Sequence, residues 1–166
     1  MSGGPLTAAV VVLAAILMIF LPEDAAAQRR SQTPGFFEGP ISVGIRSGRA
    51  FTDKAWTVGG QVELPLRGNI KLRPSGDLVF PDHAGMGYQA NGDAVLYLGQ
   101  GGGLYVGGGA ALVHRHGGDT ETGYNGLFGL STAQSQQTTK GFIEFRWTRI
   151  NDDTPFMAAI GFMHRL

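Results

Sequence analysis

The sequence predicts an all-β protein, an eight-stranded antiparallel up-and-down transmembrane β-barrel preceded by a cleaved signal peptide. Three observations carry that expectation. Residues 8–21 form an unbroken apolar run, eight later segments alternate their two faces with a period of two, and glycine reaches 27 of 166 residues. That glycine content is far above the usual ~7% and opposes long helices. A period of two puts successive side chains on opposite faces of a strand.

The apolar run stops at Pro22 and is followed by Ala25-Ala26-Ala27, a small-residue cleavage pattern, so residues 1–27 read as a secretory signal peptide. The alternative, an uncleaved anchor, would need a run of about 20 residues. The first seven residues carry no Lys or Arg, a departure from the usual leader. Residues 28–35 then form a periplasmic N-terminal segment, and residues 36–166 the barrel. Glu23 and Asp24 leave with the leader, so 13 acidic residues become 11 against 13 basic ones, a net charge of +2. That balance gives no support for nucleic-acid binding. Cysteine is absent, which excludes disulfides and a lipidated cysteine anchor.

Taken in order, the first strand sets Phe37, Gly39, Ile41, Val43 and Ile45 against Glu38, Ser42 and Arg46. The second and third form a hairpin about Gly68-Asn69. On one face lie Trp56, Val58, Gly60, Val62, Leu64 and Leu66, then Ile70, Leu72, Pro74, Gly76, Leu78 and Phe80. On the other lie Thr57, Gln61, Glu63 and Arg67, then Lys71, Arg73, Ser75 and Asp77. In the fourth, Ala90, Gly92, Ala94, Leu96 and Leu98 oppose Gln89, Asn91, Asp93 and Tyr97. The fifth sets Leu104, Val106, Gly108, Ala110 and Leu112 against Tyr105, Gly107, Gly109 and Ala111. The sixth spans 124–131, with Leu127 breaking its alternation. In the seventh, Ile143, Phe145 and Trp147 oppose Glu144, Arg146 and Thr148. The eighth sets Phe156, Ala158, Ile160, Phe162 and Leu166 against Gly161 and Arg165.

Strands of about 9–11 residues, tilted, cross a bilayer, and an even number returns the chain to its starting side. With the N-terminus periplasmic, the tight connections at 66–69 and 99–103 fall on that side. The polar links at 47–54, 81–88, 114–123 and 151–155 fall outside; only 132–140 is long for a periplasmic turn.

Alternation alone leaves open a soluble lipocalin-like barrel with its apolar face inward around a ligand. Two features favour lipid outside. The charged face is nearly balanced, with Glu38, Glu63, Asp77, Asp93 and Glu144 against Arg46, Arg67, Lys71, Arg73, Arg146 and Arg165. Such a set reads as an ion-pair network filling an interior that eight strands leave only wide enough for side chains. Phe37, Trp56, Phe80, Tyr88, Tyr124, Trp147 and Phe156 lie near strand ends, where aromatic girdles meet the two membrane interfaces. Aromatic residues are also simply common in strands.

Three local stretches, Arg73-Pro74-Ser75-x-Asp77, Tyr105-Val106-Gly107-Gly108-Gly109 and the C-terminal strand, together with the whole mature architecture, carry a family likeness. It resembles the small outer-membrane β-barrels of Gram-negative bacteria, of the opacity-antigen and OmpA transmembrane-domain kind. The resemblance implies a C-terminal assembly signal read by the outer-membrane assembly machinery. Gly161, Phe162 and Leu166 fit it, while His164 and the non-aromatic last residue depart from it. It also implies residence in the cell outer membrane, amid membrane lipid and lipopolysaccharide, as a monomer.

Catalysis finds little support. Some small barrels modify lipid A with a His and a Ser, but His83, His114, His116 and His164 have no serine two places on. The acids of the charged face oppose bases, whereas acid-base catalysis needs unpaired, perturbed carboxyls. His114, His116, Asp119 and Glu121 could in principle ligate a metal, although such a set is more often a hydrated loop. Residues 99–109 lack the Gly-x-Gly-x-x-Gly pattern and the following helix of a phosphate loop. The expectation is therefore a non-enzymatic envelope protein without cofactor, serving structure or surface contact.

Overall fold

A computed structural model describes residues 37, 39–83, 85–98, 103–132 and 138–166. The signal peptide, the N-terminal segment and Glu38 lie outside them. Eight strands follow one another: β1 (Ser42–Ala50), β2 (Ala55–Pro65), β3 (Ile70–Pro81), β4 (Gly87–Leu98), β5 (Leu104–His114), β6 (Thr120–Ser131), β7 (Thr139–Arg149) and β8 (Phe156–Arg165). Each pairs antiparallel with the next, and β1 pairs with β8, closing the sheet into a barrel. Closure leaves no strand edge with unpaired N–H and C=O groups, the condition for burying a sheet in lipid.

The two ends of the barrel differ. Ser42 pairs with Arg165, so the first and last strands start and finish at one end, here the terminus end, where β2 passes to β3, β4 to β5 and β6 to β7. The connections at 51–54, 82–86, 115–119 and 150–155 make the opposite, loop end.

The period-two pattern resolves into an inner and an outer face. Ile45, Val58, Leu72, Leu96, Leu112, Phe128, Leu130, Ile143, Ile160 and Phe162 are exposed on the outside, whereas Arg46, Glu63, Arg73, Asp77, Asp93, Glu144 and Arg146 are buried within. This arrangement inverts a water-soluble barrel, so the alternative with an apolar interior does not fit. Trp56, Phe80, Tyr88, Tyr124, Trp147 and Phe156 all fall at the loop end. There Trp147 meets Phe156 at 5.0 Å between ring centroids, and Tyr88 stacks on His114 at 4.8 Å. Phe37, the seventh residue of the expected girdle, precedes β1 and so belongs to the terminus end.

Three element boundaries depart from the sequence expectation. β1 begins at Ser42, not near Phe37, because Pro40 offers no N–H and Gly39 has φ +133, so the ladder cannot extend through them. β6 begins at Thr120, and its Leu127 keeps the alternation as an inward-facing side chain clustered with Val95, Tyr97 and Tyr105. β7 begins at Thr139, which brings Lys140 into the sheet. Large inner side chains are seated opposite small ones: a Cβ on Gly107 would lie 3.2 Å from Leu127 Cδ1, and one on Gly109 2.8 Å from Asp93 Oδ1. A narrow barrel fills its lumen this way, glycine on one strand yielding space to a bulky neighbour on the next.

Candidate functional site in the barrel interior

Five strands supply the ionic interior. β1 contributes Arg46, β2 Glu63, β3 Lys71, Arg73 and Asp77, β4 Asp93, and β7 Lys140, Glu144 and Arg146. Each occupies an inward step of its strand, so the two-residue period is what aims them at one another.

Glu144 is the hub. Its Oε1 accepts from Arg46 Nη1 at 3.2 Å and Arg146 Nη2 at 2.9 Å; its Oε2 accepts from Arg73 Nη1 at 2.8 Å and the Tyr105 hydroxyl at 3.2 Å. Arg46 also donates to Asp77 Oδ1 through Nε at 2.8 Å, to Gln61 Oε1 at 3.2 Å and to Ser75 Oγ at 2.9 Å. Arg146 lies 2.8 Å from Asp93 Oδ2, an ion pair with poor hydrogen-bond angles. Above Asp93, Asn125 donates to Asn91 at 2.9 Å and to Asp93 Oδ1 at 3.0 Å, and Thr148 donates to Asn125 at 2.8 Å.

Toward the terminus end Glu63 collects a second set. Its Oε2 accepts from Arg73 Nη2 at 2.8 Å and the Tyr97 hydroxyl at 2.7 Å; its Oε1 accepts from Lys71 Nζ at 2.6 Å and Lys140 Nζ at 2.8 Å. The Arg73 guanidinium lies 4.6 Å from the Tyr105 ring centroid, and both ammonium groups lie over Tyr97, at 4.5 and 4.9 Å. Ions held in a low-dielectric interior need this density of partners, since each removed from water alone would cost several kcal/mol. Toward the loop end Ala111, Val113 and Ile150 form a buried apolar cluster.

Of the eleven residues expected to form the network, eight meet in it: Arg46, Glu63, Lys71, Arg73, Asp77, Asp93, Glu144 and Arg146. Arg67 does not: it is exposed in the turn between β2 and β3, because the ladder stops at Pro65 and Gly68 turns with φ +70. Arg165 stands exposed at the last position of β8, at the rim of the barrel. Glu38 is outside the described residues. Lys140, Tyr97, Tyr105, Gln61 and Asn125 are members that the sequence reading did not assign. Carrying the two-residue step back from Glu144 through Phe142 would have found Lys140. An Arg67→Ala variant should leave stability within about 0.5 kcal/mol of the parent in urea titrations, as an exposed turn side chain does.

Pairs at the loop end are of another kind. Arg49 lies 3.0 Å from Asp82 and 5.2 Å from the Trp56 ring, and Arg115 reaches Glu121 at 3.4 Å. The hydrogen bond from Arg49 holds the Asp82 carboxyl below the usual carboxylate range. Exposed pairs of this type contribute little to stability. Among the described residues no three His, Asp or Glu side chains gather as metal ligands would.

No protein-family model matches the sequence, and no curated protein does. Solved structures do match. The N-terminal β-barrel domain of Pseudomonas aeruginosa OprF is similar with a TM-score of 0.64 at 20% identity, over 76% of this chain and 96% of that domain. Neisserial surface protein A is similar with a TM-score of 0.55 at 11% identity, over 76% and 94% of the two chains. A de novo designed transmembrane β-barrel gives 0.54 at 13% identity, over 77% and 96%. The chain has the fold of the small eight-stranded outer-membrane β-barrels.

Proposed function

We propose that this chain is a monomeric protein of the cell outer membrane whose barrel is held shut by its interior ion pairs, and that it serves envelope structure or surface contact, not catalysis. The observation that carries this reading is the division of the sheet: an apolar outer face, and an inner face whose buried carboxylates Glu63, Asp77, Asp93 and Glu144 are each committed to a base. A carboxylate engaged in this way is a poor proton donor or acceptor for a substrate. In this orientation the terminus end faces the periplasm, and the aromatic loop end meets the outer interface with its lipopolysaccharide. Phe162 and His164 on the outer side of β8, with Gly161 inside and Leu166 after it, are the residues the assembly machinery would read.

The reading is tested by fractionation and by gel mobility. The protein should be found with the outer membrane and migrate faster in detergent when unheated than when boiled; recovery among soluble periplasmic proteins would refute it. Lipid contact has its own test. Ile45 is 71% exposed midway along β1, so Ile45→Lys should cost about 2–4 kcal/mol of folding free energy in phospholipid vesicles. A cost near zero would mean that this face does not lie in hydrocarbon.

A further inference from the structure

We propose that the mouth at the terminus end is an oxyanion site, in which the ammonium groups of Lys71 and Lys140 hold a phosphate-class anion. The argument starts from an imbalance of charge. Among the described residues the interior network contains five bases, Arg46, Lys71, Arg73, Lys140 and Arg146, and four acids, Glu63, Asp77, Asp93 and Glu144. Deep in the barrel the charges match: Arg46 with Asp77, Arg146 with Asp93, Arg73 with Glu144. What remains among the described residues is Glu63 with two lysines, so their surplus of positive charge sits at the mouth.

Geometry agrees with that location. Both Nζ atoms are bonded to one oxygen, Glu63 Oε1, at 2.6 and 2.8 Å, so they lie no more than 5.4 Å apart. They arrive from opposite walls of the barrel, β3 and β7, and their side chains remain 27% and 18% exposed, whereas Arg46, Glu144 and Arg146 are sealed. An ammonium has three N–H donors. Among the described residues Lys71 uses hers on Glu63 alone, and Lys140 on Glu63 and the Tyr97 hydroxyl. Each ammonium therefore keeps donor capacity on a partly exposed side chain. Apart from Glu63, which the two ammoniums share, the described residues of the three connections at this end include Arg67 and no Asp or Glu. A compact oxyanion with several acceptor oxygens can bridge two ammoniums at this spacing and supply the missing negative charge. Inorganic phosphate and a phospholipid headgroup both present that chemistry.

Lysine is rare enough to make the test clean, since the whole sequence has only Lys54, Lys71 and Lys140. Lys54 lies at the loop end, between β1 and β2, and serves as an internal control. The full chain, in a nonionic phosphate-free detergent and labelled with 13Cε-lysine, would be titrated with inorganic phosphate and, separately, with sodium chloride at matched ionic strength. Saturable shifts of Lys71 and Lys140, with Lys54 unmoved and chloride without effect, are expected. In Lys140→Gln the midpoint for Lys71 should rise at least about tenfold, a loss of about 1.4 kcal/mol. Short-chain phosphatidylglycerol, titrated in the same way, separates the sources: saturation below the phosphate midpoint identifies a lipid headgroup, and saturation above it a free anion. If Lys71 and Lys140 shift no more than Lys54, or if chloride reproduces their shifts, the site does not exist. The titration of the unmutated chain decides this even if the variant fails to fold.

Discussion

Glu144→Gln should destabilise the barrel by about 3–5 kcal/mol, the cost of leaving buried charge without its partner. Glu144 is fully buried and faces three guanidinium groups, from Arg46, Arg73 and Arg146. An amide keeps the shape but removes the charge, and its NH2 group points a donor at guanidiniums that are themselves only donors. The interior has no slack to absorb this: among the described residues Arg73 Nε and Arg146 Nε and Nη1 already lack a hydrogen-bond acceptor. The measurement is urea unfolding in detergent or vesicles, read by the loss of the fast-migrating unheated band. Pairing the change with Arg146→Met removes one of the three guanidiniums facing position 144 but also takes the base from buried Asp93, so a double-mutant cycle is needed to isolate the Glu144–Arg146 coupling. A single-variant cost below about 1 kcal/mol would mean that the network does not hold the barrel shut.

Gly129→Ala is the second large effect expected, and its control is three residues away. A Cβ on Gly129 would lie 2.6 Å from the carbonyl oxygen of Ile143 and would fall on the ring of Tyr105. Neither can yield cheaply: the carbonyl belongs to the backbone of β7, and Tyr105 is fully buried with its hydroxyl on Glu144. A loss of about 1–3 kcal/mol is expected from such overpacking. Gly126 faces outward, and a Cβ there would have nothing within 4 Å. Gly126→Ala should be neutral or gain about 0.4–1 kcal/mol by restricting the unfolded chain. Equal effects at the two sites would refute the division into inner and outer glycines.

The strands and the face each side chain occupies were legible because lipid and lumen impose opposite demands at alternate positions. That signal persists wherever the step of two persists. It misleads where the step is carried past the ladder, as at Arg67 beyond Pro65, and where an apolar residue serves the lumen, as Leu127 does beside Tyr97 and Tyr105. Alternation also says nothing about partners across the barrel. The junction of Arg46 on β1 with Glu144 on β7, or of Glu63 with Lys140, depends on closure and on strand register, and both are set by the whole sheet. Lys140 was hidden for a further reason: it follows the polar stretch 132–138, and the eye groups it with the turn. Tyr97 and Tyr105 occupy the face their alternation predicts, but their hydroxyl bonds to Glu63 and Glu144 depend on how closure brings distant strands together.

The seam between β1 and β8 also constrains how the molecule comes into being. Arg46 is paired with Gly161, almost the full span of the barrel later in the chain. β1 can find β2 through a short hairpin, yet its other edge has no mate until β8 docks. Loop-closure entropy must be spent before that last ladder returns anything, so sequential growth offers no stable half-barrel and folding is slow. The apolar face and the bare edge of β1 are hazards for as long as the seam is open. A chain built on this plan depends on being kept from its own copies until the final strand arrives.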